Sequence, residues 1–284
     1  MKLKIFIPVI FVILILTSCS SAPKNTGEIY RLRLQAEEGM EVANKYASQG
    51  NFEQSLLLIT DYKRMAILTD DFSLIIRCCL SRGNILFSLG RIEEAFAEWE
   101  QAISEAQKFK HNEFLSVSRV FRARGNLLSN RASAQSVLDE VTRESANIKS
   151  DKLFVAFSWQ VRGLALRSLG SYREAEEAMK RSLTIHESEK SLENASFDWY
   201  TIASIRSLAG NTQGALQALD ASIKLDRRVE NSWGLAASWR AIGDVHRKTG
   251  NTREAMEAYQ RSRNIYLAIG NEYEVLEIDK RMGN

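Results

Sequence analysis

The sequence predicts an all-α protein: an α-solenoid of about six helix-turn-helix repeats with a period of forty residues and a C-terminal capping helix. Three observations carry this. Only two prolines occur in 284 residues, both before residue 24, as long uninterrupted helices require. Gly50, Gly90, Gly170, Gly210 and Gly250 fall on one forty-residue lattice, with Asn130 at the one node lacking glycine. Three more lattices share the period: Trp159, Trp199 and Trp239; Ala43, Gly83, Ala123, Gly163, Ala203 and Gly243; and Ser55, Ala95, Gln135, Ala175, Ala215 and Ala255. Stacked units of this kind bury together a core that none could bury alone.

Composition excludes several classes. A chain 45% hydrophobic and only +3 in net charge is no disordered polymer, and three cysteines are too few for a disulfide scaffold. Basic residues (38) nearly match acidic ones (35), so nucleic acid is not an expected partner.

The elements follow in order. Met1-Lys2-Leu3-Lys4 precedes an apolar run from Ile5 to Leu16, the basic and apolar regions of a secretory signal. Twelve helical residues rise about 18 Å, short of a hydrocarbon core of about 30 Å. Leu16-Thr17-Ser18-Cys19 resembles the lipobox of bacterial lipoproteins. That resemblance implies a signal peptide over 1–18, cleavage before Cys19, and a covalent lipid on that cysteine as membrane anchor. The lipid on Cys19 is the one non-protein group expected; no other cofactor is. Residues 19–28 then form the lipidated cysteine and a flexible tether, and 29–284 the solenoid. Ser20 is not the aspartate that retains such proteins at the inner membrane of enteric bacteria, so the outer membrane is favoured within the cell envelope.

The units lie near 31–70, 71–110, 111–150, 151–190, 191–230 and 231–270, with the cap at 271–284. Each lattice glycine ends a helix in the left-handed conformation, and the next residue begins another. Asn51, Ser171, Asn211 and Asn251 are suited to N-caps, and Ser171 with Glu174 and Asn251 with Glu254 have capping-box spacing. Asp71, His111, Asp151, Ser191, Asn231 and Asn271 mark the opposite ends, with His111 the weakest cap. Two helices of roughly 17–19 residues per unit result, about 27 Å each.

The order of these residues resembles the tetratricopeptide repeat (TPR): aromatic, small residue, Gly-Asn turn, alanine, large apolar residue. Trp239-Arg240-Ala241-Ile242-Gly243, with Gly250, Ala255 and Tyr259, carries it best. The usual repeat has 34 residues; this one is similar to the 40-residue subclass of kinesin light chains and cell-polarity adaptors. It covers about residues 30–270. Unit three departs most, with Asn130 for glycine and Gln135 for alanine.

The resemblance implies a right-handed superhelix whose first helix per unit lines a concave groove. Its groove positions transfer to Asn44, Arg77, Asn84, Arg124, Phe157, Gln160, Arg167, Phe197, Tyr200, Arg240, Asp244 and Arg247. Five arginines against one acid, with aromatics between them, suggest an acidic and partly apolar protein or peptide segment as partner. Phe157 and Phe197 could equally be core. Met40 and Leu80 stand where a chaperone-binding carboxylate clamp needs lysine, so that function does not transfer. Arg82, Arg122 and Arg162, again forty apart, read either as a polar seam between helices or as a solvent-facing ladder.

No catalytic constellation is visible. His111, His186 and His246 lie in separate units without metal-ligand spacing, and no nucleophile elbow or phosphate loop occurs. Adjacent Cys78 and Cys79 read as small core residues. The expected function is therefore a membrane-anchored TPR scaffold or adaptor of the bacterial cell envelope, not an enzyme. The alternatives are a lipoprotein binding a small hydrophobic or anionic ligand, and a self-assembling structural component of the envelope.

Overall fold

A computed structural model describes residues 27–283. The expected signal peptide over 1–18, the lipidation site Cys19 and nearly all of the tether lie outside the described residues. Within them, thirteen helices follow one another with no strand: α1 (Glu28–Ser48), α2 (Phe52–Leu68), α3 (Phe72–Ser88), α4 (Ile92–Lys108), α5 (Asn112–Leu128), α6 (Ala134–Ser145), α7 (Lys152–Ser168), α8 (Tyr172–Ser188), α9 (Leu192–Leu208), α10 (Thr212–Val229), α11 (Ser232–Lys248), α12 (Thr252–Ala268) and α13 (Glu272–Met282). None is long and apolar enough to cross a membrane as a helix.

Two kinds of turn alternate along the chain. Within units the chain reverses at a left-handed glycine, as at Gly90 (φ 73°), whose amide bonds back to the carbonyl of Phe87 at 3.0 Å. Between units the same conformation is held by Asp70, Lys110, Lys190 and Glu230, residues that resist it. The caps are uneven. Asp71, Asp151, Asn211, Asn231 and Asn271 accept a backbone N–H at the helix start, and so does the His111 Nδ1, from Phe114 at 3.2 Å. Ser171 and Asn251 occupy cap positions without making the bond, so the expected capping boxes with Glu174 and Glu254 are not engaged.

The small-residue lattice now has a packing reason. Across from it runs a lattice of large side chains, Ile59, Trp99, Met179, Leu219 and Tyr259, all at 0–1% exposure. A Cβ on Gly83 would stand 2.3 Å from Trp99 Nε1, and one on Gly163 would stand 2.6 Å from Met179 Sδ. In units two, four and six the glycine of the first helix leaves a hollow that the second helix fills, burying side chains worth about 1.5–3 kcal/mol each.

Unit three breaks the register. Helix α6 starts at Ala134, where the other second helices start at the equivalent of residue 132, and Ser133 caps it. Its buried residues are accordingly Val137, Val141 and Glu144, while the lattice residue Gln135 is exposed and donates to Asp139. The shared forty-residue period is interrupted here by a two-residue slip. Asn130, at φ 55°, makes the turn in place of glycine; the chain then spends Arg131 to Ser133 before α6 can begin. The shortened helix ends at Ser145, and residues 146–151 return the chain to its period.

Odd-numbered helices neighbour one another in sequence, α1 to α3, α3 to α5 and on to α11, whereas each even helix packs on the odd helices flanking it. The odd helices are thus an inner layer and the even helices an outer one. The inner layer also meets itself, because α1 touches α11. Phe52 stands edge-on to Trp233 at 5.0 Å, and Lys45 reaches the Val229 carbonyl and, at 3.2 Å, Glu230. The two ends of the inner layer are therefore in contact.

Candidate functional site

The structure sorts the twelve expected groove residues into paired, buried and free. Three of the five arginines are occupied by the fold. Arg77 on α3 holds Asp151, the N-cap of α7, at 2.9 Å, and lies over the rings of Phe114 and Phe154 at 5.6 and 5.1 Å. Arg240 on α11 is bonded to Glu274 on α13; burial opposes its charge, but Tyr266, Tyr200 and Glu274 outweigh that and raise its pKa. Arg247 is exposed and pairs with Asp244 at 3.6 Å. Asp244 is itself saturated, accepting from the Tyr259 hydroxyl at 2.7 Å and facing Arg281 at 3.4 Å. The expected excess of five cations over one acid is corrected accordingly, since the compensating carboxylates come from helix starts and from α13.

Gln160 is corrected too. It is 4% exposed and donates to Asp198 Oδ1 at 2.8 Å, so it belongs to the seam between α7 and α9 and offers nothing to a ligand. Phe157 is stacked on Phe121 at 4.1 Å, and both Phe157 and Phe197 pack partly buried against the main core. Tyr200 packs against the second core cluster. Asn44 is exposed and accepts from Ser81 at 2.6 Å.

What remains is a small set in the middle of the inner layer. Arg124 on α5 makes no hydrogen bond or ion pair with the described residues; it keeps some accessible surface, yet enclosure by protein pushes its guanidinium down to about 10. Arg167 on α7 has only the Ser204 hydroxyl, at 3.3 Å; burial lowers its pKa and Tyr200 partly offsets that. Asn84 has a buried side-chain oxygen with no donor. Elsewhere a partly buried arginine has a counter-group. Arg82 pairs with Glu98, Arg122 with Glu100 and Glu140, Arg206 with Glu176, and Arg263 with Asp279, while Arg162 lies over Trp159 at 5.3 Å. The Arg82, Arg122, Arg162 ladder is therefore a seam within the fold, tied to acids at two rungs and to an aromatic face at the third.

Polar groups that the repeat pattern did not single out are buried in the interior. Between α8 and α9, His186 Nδ1 meets Asp198 Oδ2 at 2.7 Å, and Ser182 donates to the same oxygen at 3.0 Å. Burial raises the Asp198 carboxyl pKa while His186, Gln160 and Ser182 pull it down. One unit on, Ser196, Ser222 and Ser238 bond in a chain, and Asp226 accepts from Asn231 at 2.8 Å; burial pushes Asp226 up to about 6. The signal was available: Ser118, Ser158, Asp198 and Ser238 share one forty-residue lattice, as do Ser182, Ser222 and Ser262, and His186 with Asp226. All are buried, where a hydrogen-bond partner is required. The His186 cluster is sealed from solvent and assembles no site. Cys78 and Cys79 are buried, with thiols pushed up to about 12, chiefly by burial. Among the described residues, no group of three histidines, cysteines or acids is placed to hold a metal ion.

Comparison with known proteins supports the repeat reading. One tetratricopeptide repeat family model matches residues 196–268, and a second matches 76–109 and 158–189. Tetratricopeptide repeats are therefore present in both halves of the chain. Similar solved structures include a Rap protein complexed with competence and sporulation factor (14% identity, TM-score 0.59, covering 90% of this chain and 74% of that one). BtubC (BKLC) from P. vanneervenii is similar at 12% identity and TM-score 0.53, covering 87% of this chain and 94% of that one. PilW, a type IV pilus biogenesis factor, is similar at 14% identity and TM-score 0.50, covering 86% and 97%. At these identities the likeness is one of fold. No curated protein matches the chain.

Proposed function

We propose that this chain is a lipid-anchored scaffold of the bacterial cell envelope, of the 40-residue TPR subclass, that holds an acidic, partly apolar segment of an envelope protein within its inner layer of helices. The fold is of a kind that typically binds proteins without catalysing reactions. The observation that carries the acidic preference is the pair Arg124 and Arg167, two enclosed guanidiniums that the fold supplies with no carboxylate. A buried cation without a counter-ion costs several kcal/mol, and a ligand carboxylate would recover it through a charge-assisted bond. Phe157, Phe197 and Tyr200, each only partly buried, supply apolar surface on the neighbouring turns.

In-cell crosslinking with mass spectrometry tests the surface. An Arg124→Ala, Arg167→Ala variant is expected to lose its main captured partner by about tenfold or more, the worth of a desolvated charged pair. Equal capture by wild type and variant would remove the assignment. The Arg77→Ala and Arg240→Ala variants should matter less for capture, because those arginines already have partners. The anchor is tested separately: Cys19→Ala is expected to move the protein from the membrane fraction to the soluble one. A variant that stays tightly membrane-bound would overturn the lipobox reading and leave the binding surface untouched.

A further inference from the structure

We infer that the tip of the first helical hairpin is a second membrane contact, seated on the surface of the bilayer and dependent on the lipid anchor proposed above. Helix α1 begins at Glu28, four residues before residue 32, where the forty-residue spacing of Phe72 and Asn112 would start it. Its first turn therefore extends about 6 Å past the place where the other inner helices begin. The two helices of the hairpin run antiparallel in close register. The Ser55 hydroxyl donates to the Ala43 carbonyl at 2.6 Å, and a Cβ on Gly39 would stand 2.1 Å from the Tyr62 ring. That register brings the last turn of α2 beside the first two turns of α1, and Arg33 reaches Asp71, just past α2, at 3.0 Å. Ile29, Tyr30, Leu34, Ile67 and Leu68 thereby gather at one end, each between 41% and 64% exposed.

The repeat does not require this patch. At the positions of Ile67 and Leu68, units two, four and five carry Gln107-Lys108, Glu187-Ser188 and Arg227-Arg228. Leu34 holds the place of Leu74 and Phe114, both of which are buried. An end unit of a solenoid ordinarily turns a polar face outward. The apolar area on offer is on the order of 500 Å², below the about 800 Å² per partner of a stable interface between two proteins. With the lipid on Cys19, nine residues before Glu28, the tip is tethered within about 30 Å of the bilayer. Held at that range, a modest apolar patch needs little affinity of its own. A tyrosine among aliphatic side chains suits the headgroup boundary. Exposed Arg31 and Arg64 are offset by exposed Glu28 and Asp70, so the contact is apolar rather than electrostatic.

The test uses the lipid-anchored protein purified from cells and placed on vesicles of phosphatidylethanolamine and phosphatidylglycerol. Leu68→Cys carries a nitrobenzoxadiazole fluorophore, and Leu208→Cys, exposed at the opposite end of the helices, carries it as the control. Cys78 and Cys79 are buried and stay unlabelled. Nitroxide lipids are expected to quench the label at 68 by about twofold or more and leave that at 208 unchanged, since an interfacial contact sits within roughly 5–10 Å of the acyl boundary. The quenching should persist in high salt, which screens only charges. Ile29→Ser with Ile67→Ser, both at exposed positions, should abolish it while the protein stays on the vesicles. A vesicle-bound protein whose label at 68 is not quenched would leave the patch to a protein partner and overturn the inference, with the anchor still standing. A label shielded from aqueous iodide yet unquenched by lipid would do the same, by placing a second copy on the tip. A lipid-anchored chain that does not hold to vesicles at all would overturn the anchor and this contact together.

Discussion

Asp198→Ala is expected to destabilise the protein by about 3–5 kcal/mol, the cost of breaking a buried, hydrogen-bonded charged cluster from one side. Asp198 is 0% exposed and accepts from Gln160, Ser182 and His186 at once, so its removal strands three polar groups where water does not reach. Urea unfolding followed by circular dichroism reads the loss. Units of a solenoid couple mainly to their neighbours, so the transition should also broaden as the array divides between α8 and α9. Asp198→Asn, which keeps the shape and one acceptor, should lose much less. An alanine variant as stable as wild type would mean that the cluster contributes nothing to the coupling of those units.

Trp99→Ala is expected to cost a similar 3–5 kcal/mol, by leaving a cavity. Trp99 is 0% exposed and fits between two glycines: a Cβ on Gly83 would stand 2.3 Å from its Nε1, and one on Gly125 2.2 Å from its Cζ3. The indole N–H has no hydrogen-bond partner, so the side chain acts by volume alone. Trp99→Phe should consequently recover most of the stability, and its failure to do so in thermal unfolding would show that shape at this position matters beyond volume.

The periodic parts of this molecule were legible because a repeat writes the same physical need six times. Left-handed turns at Gly50 or Gly210, and close approach at Gly83 or Gly243, favour glycine each time, so glycine recurs in register. Even the weak third unit was visible in Asn130 and Gln135. The two-residue slip of α6 was not, because Gln135 is compatible with either register and only Val137 and Val141 decide it. The candidate site was far less legible. Groove positions transfer from the repeat pattern, but pairing does not: Asp151 reaches Arg77 across 74 residues and Glu274 reaches Arg240 from the cap helix, distances that no local pattern encodes. Gln160 was placed on the ligand side because its spacing fits. It turned inward because Asp198, forty residues after Ser158, needed a donor. What distinguishes Arg124 is the absence of a partner, and that can be seen only once every neighbour has been placed.

The contact between α1 and α11 also ties the position of the two ends to the number of units between them. An ordinary solenoid is open-ended, so its length drifts freely as repeats are duplicated or lost at a terminus. Here the last unit returns to the first, and Ile269 lies against the Gly50 turn. A seventh unit inserted before α11 would displace Trp233 from Phe52, and a fifth-unit deletion would leave the circle short. Among the described residues, six units are the number at which these ends meet, so a change in that number would break the contact.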